Sequence, residues 1–192
     1  MELQHVNIKL LINQIEEADL EPLIPIFHHW IQDQVCEELL IDVADYRHVH
    51  AGPGIVLIGH EANYSLDNAD GRWGVRYNRK AALAGSNHDR LVQAARASLT
   101  ALRRLEEDPR LAGRIRFQGQ ALELSVNDRL LAPNQAATRG SFEAELRAFL
   151  KQVFGGTDYS LSHDGDRRRL LSVFVKASRP FTSADLLKNL TS

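Results

Sequence analysis

The chain has 192 residues and a formal net charge of -2, and its isoelectric point near 6.4 excludes a general electrostatic attraction to nucleic acid or anionic membrane. Hydrophobic residues make up 44%, too many for a disordered chain, and the length suits one domain over residues 1–192. The single cysteine, Cys36, rules out an internal disulfide framework and fits a reducing compartment.

No stretch approaches the roughly 20 apolar residues that span a bilayer, and Met1 to Ile12 lacks a basic region ahead of an apolar run. The expectation is a cytoplasmic protein with neither a membrane nor a nucleic-acid partner. The basic runs, Arg103-Arg104 and Arg167 to Arg169, are short and read as solvated surface.

In chain order, Val6, Ile8, Leu10 and Ile12 alternate with polar residues and predict a half-buried strand. Pro22 and Pro25 open a helix running to about Cys36, with Leu23, Phe27, Trp30, Ile31 and Gln34 on one face. Glu37 to His50 has no clear periodicity. Ala51-Gly52-Pro53-Gly54 is a turn. The apolar run Ile55 to Ile58 predicts a strand buried on both faces that continues to Leu66. Asp67 to Gly71 reads as a hairpin turn and Trp73, Val75 and Tyr77 as the returning strand.

Asn87 to Glu107 is the clearest helix, with Leu91, Ala94, Ala95, Ser98, Leu99, Leu102 and Leu105 at helical spacing and Pro109 beyond its end. Ile115 to Val126 predicts a strand or hairpin bent at Gln118-Gly119, followed by a polar loop to Ala137. Ser141 should cap a helix that carries Phe142, Leu146, Phe149, Leu150 and Val153 inward and ends at Gly155-Gly156. Tyr159 to Ser162 and Leu170 to Lys176 form a hairpin, and a short helix covers Ser183 to Asn189.

The fold class is therefore α+β: a largely antiparallel sheet with helices packed on it. The order strand, helix, hairpin, helix occurs twice, which suggests two fused βαββα halves, 1–112 and 113–192. Tyr64-Ser65-Leu66 and Tyr159-Ser160-Leu161 precede the two hairpin turns, and Lys80-Ala81 and Lys176-Ala177 end the hairpins.

The stretches Asp45 to Val49, Gly52-Pro53-Gly54, Gly59-His60-Glu61 and Ser65-Leu66-Asp67, together with Leu105 to Gly113 and Asn127 to Leu130, resemble an uncharacterised family of bacterial proteins of this size. The resemblance covers most of the chain and implies a bacterial source, without an activity.

Candidate chemistry concentrates between Asp42 and Asp67. His48 and His50 stand two apart on an extended segment, and His60-Glu61 follows across the glycine turn. Imidazole with carboxylate is a donor set for a transition metal, although neither HExxH nor a cysteine pair is present. Glu61, read as part of an apolar strand, is expected to have a raised pKa and to act with His60 as an acid or base, near Asp42 and Asp45. The alternative for Glu61 is a structural ion pair with Arg47, Arg76 or Arg79. For a bound anion, Ala51-Gly52-Pro53-Gly54 offers backbone flexibility, and Arg76, Arg79 and Lys80 supply positive charge. No nucleotide, redox or hydrolase motif occurs. The leading expectation is a homodimeric binding module without catalysis, with Trp73, Tyr77 and a sheet edge as interface candidates. The alternative is a small, metal-assisted enzyme built on His48, His50, His60 and Glu61.

Overall fold

The first strand forms where alternation places it, but it is buried on both faces. In the computed structural model, which describes residues 1–191 apart from the side chains of residues 17 and 18, β1 (Val6–Ile12) has all seven residues buried. It lies near the middle of an antiparallel eight-stranded sheet of order β2-β3-β4-β5-β1-β6-β8-β7. The remaining strands are β2 (Leu40–Tyr46), β3 (Gly54–Gly59), β4 (Ala62–Asp67), β5 (Gly74–Arg79), β6 (Phe117–Val126), β7 (Tyr159–His163) and β8 (Leu171–Ala177). The fold is α+β, as its alternating patterns imply.

Strand register assigns the two faces. Ile8 lies opposite Tyr77 and Leu124, and Leu124 opposite Val173, so the even-numbered residues of β1 share an apolar face with Tyr64, Leu66, Val75 and Leu122. Helices α1 (Leu23–Asp33), α2 (Asn87–Glu107), α3 (Ala136–Val153) and α4 (Ser183–Thr191) cover this face. Helix α2 packs over β1 and β5, α1 over β2 and β3, and α4 against α2 and α3. Burial of these apolar side chains, worth about 1.5–3 kcal/mol each, is the main stabilising term.

Among the described residues, no α-helix covers the other face. Its central rows are polar: Asn63, Asn78, Asn7 and Ser125 lie side by side, and next to them Ser65, Arg76, Lys9 and Glu123. The turn after β4 folds back over them. Lys9 forms a buried ion pair with Asp67 and donates to the Ala69 carbonyl at 3.1 Å, and Arg72 reaches Glu123 at 2.9 Å. Gly74 leaves room for Lys9, since a Cβ there would stand 2.7 Å from the Lys9 Cγ. At the tip, Asp70 pairs with Arg169 from the β7–β8 loop, so the two hairpins meet across the sheet.

Several boundaries differ from expectation. The run from Ile55 to Leu66 is not one strand but a β3–β4 hairpin turning at His60-Glu61. Glu37 to His50 contains an edge strand, β2, paired to β3. Gly54 starts β3 at φ +64, and a Cβ there would lie 2.1 Å from the Leu66 carbonyl oxygen, so this position requires glycine. Residues 117–126 form one long strand, with Gly119 at φ +83. Helix α3 begins at Ala136, with Gln135 rather than Ser141 at its N-cap and no side-chain cap. The apolar stripe from Phe142 onward anchors the helix, so its first turn extends past Gly140 without one.

The first half thus has four strands between its helices, where a βαββα unit has two. The partial order β1-β5-β4 nevertheless matches β6-β8-β7. Tyr64 and Tyr159 both lie on the helix side of the sheet. Tyr64 is opposite Tyr77 and Tyr159 opposite Ala177, so superimposing the tyrosines leaves Ala177 on Tyr77. The Lys-Ala match at Ala81 is then out of register by four residues (81 minus 77).

Candidate functional site

Helices α1 and α2 lie over opposite sides of β4, and the gap between them is only partly filled by the segment that follows α1. Gln34 ends α1 in the left-handed region, with φ 47, and its side chain both donates to the Leu40 carbonyl and accepts from the Leu40 amide at 3.1 Å. This folds residues 35–38 down against the sheet. What remains is a groove of about 320 Å³. One wall is Val35, Cys36 and Glu37; the other is the α2 stripe of Val92, Gln93, Arg96, Ala97, Thr100, Ala101 and Arg104; Tyr64 and Glu38 form the floor.

Glu38 is 4% exposed. Its carboxylate accepts from the hydroxyl of Tyr64 at 2.6 Å, from that of Tyr77 at 2.8 Å and from Gln93 Nε2 at 3.3 Å. Arg79 Nη1 stands 3.8 Å away and balances its charge. A buried carboxylate persists only with such partners. Burial first, and then the neighbouring Cys36 and Glu38, pushes the Tyr64 phenol far above its ordinary range. Burial likewise pushes the Cys36 thiol up to about 11, so near neutral pH it stays protonated and is a poor nucleophile.

The residues expected to form a site are dispersed. His48 and His50 sit in the β2–β3 turn and His60 in the β3–β4 turn, at opposite ends of a strand roughly 20 Å long. Among the described residues, no group of three histidine, cysteine, aspartate or glutamate side chains is placed to hold a metal ion. The three-histidine centre is therefore not formed, and His48, His50, His60 and Glu61 do not make one site.

Glu61 is a second correction. It lies in an exposed turn rather than in a buried strand. Its own backbone N–H first, then the Leu39 amide at 3.2 Å and His60 at 3.3 Å, hold its carboxyl below the usual glutamate range, not above it. Asp42 and Asp45 are both exposed on β2 and point to opposite faces of the sheet. Asp45 is chelated by Arg47, whose hydrogen bonds lower it to about 2. Arg76 and Arg79 also part company: Arg76 faces Asp67 on the polar side at 3.5 Å, and Arg79 faces Glu38 on the helix side. Tyr77 is fully buried under α2, and Trp73 is partly buried against the core.

Sequence reasoning thus reached Arg79 and missed Glu38, Gln93, Arg96 and Arg104. The signal for the arginines was present, since Val92, Arg96, Thr100 and Arg104 repeat every four residues beside the apolar stripe of α2. Comparison with protein-family models and with curated proteins finds no match.

Proposed function

We propose that the protein is a binding module that acts as a homodimer and takes a small organic ligand in the groove between α2 and residues 35–38. The groove carries this reading. It is concave, it sets an apolar strip of Val35, Cys36, Val92, Ala97 and Ala101 beside charged and polar groups, and its size suits a small molecule. Its thiol and phenols are held protonated, which favours binding over nucleophilic chemistry.

The second copy belongs on the edge strand β2. Among the described residues, four of the seven large apolar residues that are exposed, Leu39, Ile41, Tyr46 and Val49, lie on or beside this strand, while Leu130 and Leu131 stand in the loop before α3; the outer backbone groups of β2 have no partner strand. Antiparallel pairing of two β2 strands gives a self-complementary, two-fold interface. The matched orders β1-β5-β4 and β6-β8-β7 support an origin by duplication, with β2 and β3 added to the first half. The resemblance to an uncharacterised bacterial family and the single free cysteine fit a bacterial, cytoplasmic protein.

Two measurements test the proposal. A fluorescence titration with the neutral probe N-phenyl naphthylamine should show saturable binding that Ala97→Trp abolishes by filling the groove while the far-UV spectrum is retained. Binding untouched by that substitution would place the ligand elsewhere, and no binding would defeat the module reading. Mass in solution should be that of a dimer and fall to the monomer in Ile41→Lys. A wild-type protein that stays monomeric at high concentration would refute the dimer.

A further inference from the structure

We infer that the groove is built for an amphipathic organic anion: an apolar body carrying one carboxylate or sulfonate group. This rests on the binding reading above and adds the chemistry of the ligand.

Arg96, Thr100 and Arg104 are four residues apart on α2 and all line the groove. At that spacing, successive side chains stand about 5–6 Å apart on one helix face. Two long guanidinium side chains can therefore converge above the Thr100 hydroxyl, which supplies a third donor. Among the described residues, neither arginine forms an ion pair, although the neighbouring Arg103 is paired with Glu107 at 2.8 Å. Two unpaired guanidinium groups on one wall of a concave site favour an anion.

Among the described residues, none of the groove's acids is ion-paired with either arginine. Glu38 is occupied by Tyr64, Tyr77 and Gln93 and balanced by Arg79. Asp89 is held in the capping box at the start of α2, where it accepts from the Ser86 amide at 2.8 Å and the Ser86 hydroxyl at 2.7 Å. Glu37 is exposed on the opposite wall. The space beside the arginines is lined by Val35, Cys36, Ala97 and Ala101, apolar surface that gains from covering an apolar body. The charged head and apolar body of the ligand follow from these two adjoining surfaces.

The test compares two probes of similar aromatic body, anilinonaphthalene sulfonate and neutral N-phenyl naphthylamine. The anion should bind at least about tenfold more tightly, a difference of about 1.4 kcal/mol, and added salt should weaken it selectively. The double variant Arg96→Gln, Arg104→Gln should remove that advantage and leave the neutral probe unchanged. Equal binding of both probes, or an anion affinity that survives the double substitution, would overturn the anion assignment while the binding module stands. Failure of both probes to bind the wild-type protein would overturn both.

Discussion

Tyr64 and Tyr77 meet edge to face, with ring centroids 5.2 Å apart, and donate their hydroxyls to the same buried carboxylate, that of Glu38. This arrangement ties the segment after α1 to β4 and β5, and through Gln93 to α2. It makes Glu38 the residue on which the groove floor depends.

Glu38→Ala should destabilise the fold by about 3 kcal/mol, since it leaves the buried Tyr64 hydroxyl without an acceptor and the Tyr77 hydroxyl with only Gln93 Oε1 at 3.3 Å. Glu38→Gln keeps an acceptor and should cost about 1 kcal/mol. Urea unfolding of the two variants checks the order; equal losses would mean that a neutral acceptor at this position cannot replace the carboxylate.

On the polar face, Lys9 and Asp67 are both nearly inaccessible. Burial lowers the Lys9 pKa despite the attraction of Asp67. Lys9→Met should cost about 3 kcal/mol by stranding a buried carboxylate. Lys9→Met combined with Asp67→Leu should cost less than the sum of the two single changes, because the pair is removed together. Strict additivity in denaturant titrations would refute the coupling.

Cys36 should react with iodoacetamide far more slowly at pH 8 than a free thiol, and its rate should climb towards pH 11, where the thiolate forms. The linked stability has a definite sign. The folded pKa lies above the ordinary thiol value of 9.0, so this contribution is full below pH 9.0, declines above it, and is lost as the pH passes 11. A rate that levels off near pH 8 would contradict the burial of the thiol.

Glu61 should titrate below the ordinary glutamate value, as read by the carboxyl carbon shift in NMR. Its depressed pKa makes its contribution present above pH 4.5 and lost as the pH falls through the folded value. His60 is 70% exposed at its side chain, so His60→Ala should change stability by less than about 0.5 kcal/mol. A raised Glu61 pKa or a large His60 effect would restore the buried site that the turn argues against.

The error at His60-Glu61 has a local cause. Gly59 turns a short hairpin between two strands that are apolar on the helix side, and from one sequence such a hairpin reads as one longer strand. The turn is made by contacts that are distant in sequence: the His60 amide reaches the Leu39 carbonyl, and the Lys80 and Ala81 amides reach the Glu61 carbonyl.

The β1 alternation, the α2 stripe and the α+β class were determined by sequence alone, because each depends on periods of two or of about 3.6 residues within one segment, and so was the hairpin turn near Asp70, because Asp, Asn and Gly favour turns locally. Tertiary structure decided which acid is buried. The sequence pattern points to Glu61 and not to Glu38, yet Glu38 meets Tyr64 and Tyr77 across 26 and 39 residues, whereas Glu61 faces solvent. It also decided that β2 completes the sheet edge and that Arg96 and Arg104 line a groove. Strand register and helix placement bring those groups together, and both are set by the burial of the whole apolar face rather than by any one segment.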